Sequence, residues 1–307
     1  MGQHAEGCIA LTRSLSVEYG HDRVLWDSAG GRNRQRPRWC NVSFGDREAK
    51  LLMTSRPRIS VCMATYNGER YVAQQLSSIL VQLDEKDEIV IMDDASTDET
   101  CRRIRALGDP RIRLVEHGNN RGVLRTFEDA LRHASGDVIF LSDQDDIWVH
   151  DKVSTVMRAL AEHPEVALVA SDTALIDEDG KLTAESYFRP RGEFKPGFWA
   201  NWVRNRYGGC TLAFRAELLN DILPFPHRRD TLHDIWIGIR NSLSGHGTLY
   251  IDKPLVLNRR HESTATGRKR LGILRKLRGR LGLLLAVVEY EAFRRTSPRG
   301  QWRMQTK

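Results

Sequence analysis

Two stretches of this 307-residue chain put carboxylates where apolar runs end. In "DVIFLSDQDDIW" an apolar run hands over at once to Asp143, Asp145 and Asp146. Each ionised neighbour makes the next acid more costly to hold charged, so the cluster calls for a positive partner. A divalent cation bridging the acids to a diphosphate would supply one. An oxygen-only ligand set favours Mg2+ or Mn2+ over zinc. The second pair, Asp93-Asp94, closes "EIVIMDD". Helix capping by Asp94, Ser96 or Thr97 could account for "DDASTDET" by itself. One cap cannot use the three acids of "SDQDD". A further acid, Asp234 in "LHDIWIG", opens a helical pattern and reads equally as a cap or as a base.

The elements that must position these residues alternate regularly from residue 58. "RISVCMAT" (58–65), "EIVIMDD" (88–94), "RIRLVEH" (111–117), "DVIFLSD" (137–143) and "VALVASD" (166–172) are short, nearly continuous apolar runs, as in strands buried on both faces. Between them Val72, Leu76, Ile79, Leu80 and Leu83 recur at helical spacing, as do Val123, Phe127, Ala130 and Leu131. Strand, helix, strand at this pace predicts a mostly parallel central sheet flanked by helices, with right-handed crossovers. Beyond about residue 180 the pattern loosens. "DEDGK" reads as a turn, Trp199 and Trp202 as a short amphipathic piece, "CTLAF" and "TLYID" as strands, and "LHDIWIGIRNSL" as a helix.

In open parallel sheets ligands bind beyond the carboxyl ends of the strands. Those ends read Thr65-Tyr66-Asn67-Gly68, Asp93-Asp94 and Asp143-Gln144-Asp145-Asp146. There is no GxGxxG and no GxxxxGK[ST], which argues against a nicotinamide dehydrogenase or a P-loop NTPase. A metal-dependent phosphoryl-transfer or hydrolytic enzyme acting on a nucleotide also uses acids at strand ends. Such enzymes commonly carry a nucleophilic aspartate after the first strand, where this chain has Thr65-Tyr66-Asn67.

Five scattered cysteines without a CxxC pair indicate neither a disulfide framework nor structural zinc, and predict a reducing, cytoplasmic compartment. No signal peptide opens the sequence. The longest apolar run, "LGLLLAVV" at 281–288, is far short of the roughly 20 residues that span a bilayer. The net charge of +7 is unevenly spread. Residues 268–307 hold twelve Lys or Arg against two Glu, a charge of +10, which leaves the remainder at −3. That acidic body, with no recognised module, excludes a nucleic-acid reading of "RKRLGILRKLRGR".

At this point the residues carry a resemblance. "VCMATYNGERYVAQQLSSILVQ", "IVIMDDASTDET", "NNRGVLRTFEDAL", "GDVIFLSDQDDIW", "GGCTLAFRAELL" and "LHDIWIG" follow one another as in an inverting family 2 glycosyltransferase with a GT-A fold. The pattern looks most like the rhamnosyltransferase-type members that build bacterial surface polysaccharides, and it covers roughly residues 57–265. The resemblance implies a nucleoside-diphosphate sugar donor, with dTDP-rhamnose among the candidates, and a glycan or lipid-linked acceptor. It implies that Thr65 and Tyr66 line the base pocket, that Asp94 hydrogen-bonds the donor's pyrimidine and that Asp93 supports the same region. Asp143, Gln144 and Asp145 match its DxD element, with Asp145 the direct metal ligand, Asp143 next and His261 near the metal or diphosphate. Asp234 matches its catalytic base. Thr126, His150 and Ile235 depart from the family pattern, which usually has Asn, Pro and Trp there; Trp236 is kept.

The expected organisation is therefore a poorly ordered extension over 1–55, a GT-A domain over 56–265 and a basic amphipathic tail over 266–307. Met53, just ahead of the first strand, is a candidate start. In the tail, Leu271, Ile273, Leu274, Leu277, Leu281, Leu284 and Leu285 stand among seven Arg and Lys at largely helical spacing. That pattern predicts a helix lying on an anionic membrane surface, at the inner face of the cell membrane.

Overall fold

A computed structural model describes residues 24–27, 56–192, 194–203, 205, 207–226, 232–261 and 273–296, without the side chains of 24–27 and 273–277. Most of the N-terminal extension, including Met53, and residues 266–272 and 297–307 of the tail, including Leu271, lie outside the described residues.

Among the described residues ten strands form one sheet. They are β1 (Val24–Asp27), β2 (Ile59–Thr65), β3 (Glu88–Asp93), β4 (Ile112–Glu116), β5 (Val138–Ser142), β6 (Ile147–Trp148), β7 (Val166–Ile176), β8 (Leu182–Ala184), β9 (Leu212–Arg215) and β10 (Gly247–Arg259). The order is β1-β10-β7-β9-β5-β2-β3-β4, with β6 on β10 and β8 on β7. The ladders β5-β2-β3-β4 are parallel, as the alternation of strand and helix requires, and β7 runs parallel to β10. The sheet is nevertheless mixed: β9 lies antiparallel between β5 and β7 and joins the two parallel halves.

The helices are α1 (Val72–Leu80), α2 (Thr100–Arg105), α3 (Val123–His133), α4 (Lys152–Glu162), α5 (Phe198–Val203), α6 (Leu219–Ile222), α7 (His233–Ser244) and α8 (Ile273–Thr296). Side chains alternate across a strand, so β2 sends Val61 and Met63 to one core and Cys62 to the other. The first core takes Val72, Leu76 and Ile79 of α1 with Val153 and Val156 of α4. The second takes Phe127 and Leu131 of α3, Trp236 and Ile237 of α7, and Leu283, Ala286 and Tyr290 of α8. Covering both faces of β2, β3 and β5 explains why these strands are apolar throughout.

Within the tail, α8 is tied to the domain by one face. The Tyr290 hydroxyl donates to the Leu223 carbonyl at 2.6 Å, and Arg294 pairs with Asp221 at 2.6 Å. Among the described residues no helix is long and apolar enough to cross a membrane.

Candidate active site

The carboxyl ends of β2, β3 and β5 converge on a single cleft of about 1180 Å³, lined by Thr65, Tyr66, Asp94, Asp143, Gln144 and Asp145 on one side and by Asp234 on another. His261 also lines it. Chain order explains the convergence: from β2 the chain steps out to β3 and β4, then returns to β5 on the other side of β2, and such a switch opens a crevice at the strand ends.

At the β3 end, Asp94 accepts from the Arg121 amide at 2.7 Å, the Gly122 amide at 2.9 Å and the His117 ring at 3.2 Å. Burial disfavours its charge, but these donors outweigh burial and hold the carboxyl below the usual range. Asp93 is buried and is not part of the cleft wall; it accepts from Thr65 Oγ1 at 2.7 Å and from the Ser96 amide at 2.7 Å. Its contribution is to join the β2 and β3 ends. The loops beyond them carry Asn67 and Ala95 at φ 47° and 64°. A left-handed alanine costs about 1–2 kcal/mol, strain of a kind that concentrates at functional loops.

Tyr66 is clamped through its backbone. Its amide donates to Gln144 Oε1 at 2.8 Å, and Gln144 Nε2 donates back to its carbonyl at 3.0 Å. Gly68 makes room for that clamp, because a Cβ there would stand 2.3 Å from Gln144 Oε1.

The acids crowd as their spacing suggests. Burial, then the charges of Asp146, Asp145 and Asp234, push the Asp143 carboxyl well above the usual range. Burial and Asp145 push Asp146 up to about 7, although the Arg259 amide donates to it at 3.0 Å. Antiparallel pairing of β6 with β10, Trp148 opposite Val256 and Ile147 opposite Leu257, explains how His261 arrives here. Running the two chains past that pairing brings His261 Nε2 to 2.7 Å from Asp145 Oδ2. Ligand atoms of Asp143, Asp146 and Cys210 lie within 4.8 Å of one another.

This donor set fits a hard divalent cation. Carboxylate oxygens and one imidazole dominate it, the acids raise one another's pKa, and among the described residues the buried Asp146 Oδ2 has no hydrogen-bond partner. Two buried cations stand nearby among the described residues: Arg259, whose Nε donates to the Asp145 carbonyl at 3.0 Å, and Lys152, whose Nζ donates to the Cys210 carbonyl at 2.7 Å. Burial pushes the Lys152 pKa down to about 8, against the attraction of the acids.

Asp234 stands in the first turn of α7, and Asn205 Nδ2 donates to its Oδ2 at 2.8 Å. The other oxygen accepts from the Ile235 amide at 2.7 Å. Beside it, His233 stacks on Phe127 at 4.3 Å between ring centroids. Gly209 admits that ring, since a Cβ there would fall 2.4 Å from His233 Nε2. Nothing in the sequence pattern assigns a role to Asn205, Lys152, His117 or the Arg121–Gly122 amides. Each is a single residue in a loop or helix, outside any repeating pattern.

Three comparisons with known proteins bear on this geometry. The family model described as "Glycosyl transferase family 2" matches residues 60–223. The putative glycosyltransferase EpsE of Bacillus subtilis is 34% identical over 131 residues, covering 42% of this chain and 47% of its own. The chain thus spans about half the length of that relative. The Escherichia coli UDP-Glc:alpha-D-GlcNAc-diphosphoundecaprenol beta-1,3-glucosyltransferase WfgD is 26% identical over 186 residues, 59% of this chain and 69% of its own. The dTDP-rhamnosyl transferase RfbG of Shigella flexneri is 29% identical over 235 residues, 69% and 79% of the two chains. Among solved structures, S. aureus TarS 1-349 with UDP-GlcNAc superposes with TM-score 0.59 at 18% identity, covering 75% of this chain and 66% of that one. The mannosyltransferase PcManGT of Pyrobaculum calidifontis, in complex with GDP-Man and Mn2+, gives 0.52 at 22% identity and 82% of each chain. The structural neighbours share the GT-A architecture of an α/β sheet flanked by helices. With a family model matching more than half its length, the chain belongs to glycosyl transferase family 2 and is a glycosyltransferase.

Proposed function

We propose that the chain is a metal-dependent inverting glycosyltransferase that moves a sugar from a nucleoside diphosphate to a glycan or lipid-linked acceptor in bacterial surface-polysaccharide synthesis. One observation carries the reading: a single cleft is lined both by Asp143 and Asp145 of "SDQDD" and by Asp234. One set suits a diphosphate with its cation, the other suits a nucleophile to be deprotonated.

In this reading Thr65, Tyr66 and Asp94 bind the nucleoside. Asp94 keeps its charge because backbone amides hold it, so it accepts from a base N–H. Asp145, with Asp143 and His261, would hold Mg2+ or Mn2+, which when bound supplies positive charge to the departing diphosphate. Gln144 sets the height of Tyr66. Asp234 takes the proton of the acceptor hydroxyl as that oxygen forms its bond to the anomeric carbon, and the bond from that carbon to the diphosphate breaks on the opposite face. Attack from the far side inverts the configuration. Asn205 holds the Asp234 carboxylate in one orientation.

RfbG supports dTDP-rhamnose as a donor to try first, and WfgD supports a lipid-diphosphate acceptor. PcManGT, recorded with Mn2+, supports the cation. A panel of nucleotide sugars, scored for thermal stabilisation with and without Mn2+, tests the donor side. A nucleotide sugar that stabilises the chain only when Mn2+ is present is the expected result. Stabilisation by none of them, with or without Mn2+, removes the reading. The basic tail, at the inner face of the cell membrane, would keep the enzyme near a lipid-linked acceptor.

A further inference from the structure

Half of the large apolar side chains that stand exposed among the described residues lie on two helices. Trp199 and Val203 of α5 are 68% and 51% exposed, and Leu281, Leu285 and Val288 of α8 are 59%, 46% and 65% exposed. Trp199 and Val203 are four residues apart and share one face of α5; Leu281, Leu285 and Val288, at intervals of four and three, share one face of α8. The opposite face of α8, with Leu283, Ala286 and Tyr290, is the one buried against the domain. The two helices that carry these stripes meet, because Trp202 Nε1 donates to the Arg280 carbonyl at 3.0 Å and the Arg280 guanidinium donates to the Val203 carbonyl.

The patch has a definite position relative to the chemistry. Asn205, which orients Asp234, follows Val203 by two residues, and exposed Leu232 precedes Asp234 by two and lines the cleft. The apolar surface therefore borders the wall of the cleft that carries Asp234, while Asp94 and Tyr66 belong to the strand ends.

We propose that α5 and α8 together form a seat for an anionic lipid bilayer beside the Asp234 wall of the cleft. A tryptophan with aliphatic neighbours on the outer face of two helices suits the boundary between headgroups and acyl chains. Charge selects the bilayer over an apolar protein partner. Arg278 is exposed at the edge of the stripe, and residues 268–307 carry +10 while the rest of the chain carries −3. Seating by this face presents the Asp234 side to the membrane. Combined with the proposed function, an acceptor anchored in the bilayer would reach the base without leaving its lipid environment. The seat thus involves the catalytic domain through α5, beyond the tail helix.

The test is flotation of the full chain with phosphatidylcholine vesicles, with and without phosphatidylglycerol, at low and high salt. The wild type is expected to float with the anionic vesicles at low salt and to be released by high salt. The combined change Trp199→Ser, Leu281→Ser and Val288→Ser is expected to lower vesicle partitioning at least about tenfold, the scale of losing apolar insertion, with transfer to a water-soluble acceptor unchanged. Arg278→Glu should weaken binding at low salt. If the triple variant fails to fold, Val288→Ser alone, at the most exposed large apolar side chain described on α8, should lower partitioning about threefold. Flotation by the variants equal to the wild type overturns the proposal, as does a wild type that ignores anionic vesicles. A change from dimer to monomer in the triple variant with flotation intact would instead identify the patch as a contact between copies. Flotation needs no turnover, so an inactive wild type that still floats would refute the transferase reading and leave the seat standing.

Discussion

Asn205 Nδ2 lies 2.8 Å from Asp234 Oδ2, and the backbone amide of Tyr207 donates to Asn205 Oδ1 at 2.9 Å. The amide side chain is thus held at its oxygen end while its nitrogen fixes the carboxylate. Asn205→Ala frees Asp234 to rotate. It should lower kcat about ten- to a hundredfold, the scale of a misplaced reacting group, with donor affinity unchanged. Steady-state kinetics with calorimetric donor titration reads both. An unchanged kcat would mean that Ile235 alone suffices to orient the base.

Asp145→Asn should abolish Mn2+-dependent binding of a nucleoside diphosphate while the fold persists, because neutralising one acid relieves repulsion on Asp143 and Asp146. Titration calorimetry with and without Mn2+ decides it. Equal affinities in the two proteins would remove the metal assignment.

Gly68→Ala places a methyl 2.3 Å from Gln144 Oε1. Gln144 can swing away at little cost in stability, but the clamp on Tyr66 goes with it. The donor KM should rise about tenfold, roughly 1.4 kcal/mol, with the melting temperature nearly unchanged. A large drop in melting temperature with normal KM would show the contact to matter for packing alone.

Lys152 titrates from about 8 when folded and near the ordinary lysine value of about 10.4 when unfolded. Between those values the unfolded chain binds the extra proton, so stability rises with pH, by up to about 1.4 kcal/mol per unit. Lys152→Met should flatten that rise. Urea melts of both proteins in chelator across this range measure the difference, and parallel pH profiles would contradict the burial of an ionisable lysine.

The strand ends were legible because β2, β3 and β5 are buried on both faces and so read as unbroken apolar runs. The direction of β9 was not, since a strand of four residues carries no sign of which neighbour it will pair with or which way it will run. His261 could be tied to Asp145 only through the resemblance: the link depends on the two-residue β6 pairing with β10, a register set by tertiary packing. Lys152 defeats the ordinary expectation that lysine stays at the surface, and its burial is visible only once the Cys210 carbonyl is beside it. Of the tail's apolar stripe, Leu281 and Leu285 read as surface residues and are exposed, whereas the pattern did not show that Leu283 and Tyr290 pack on Trp236 and its neighbours.

The central claim, transfer with inversion by Asp234, is tested most directly by proton NMR of the product formed from the donor that binds with Mn2+. The wild type should give one product whose anomeric configuration is opposite to that of the donor, and Asp234→Asn should form it at least about a hundredfold more slowly. A product of retained configuration, or a near-normal rate from Asp234→Asn, would contradict the account.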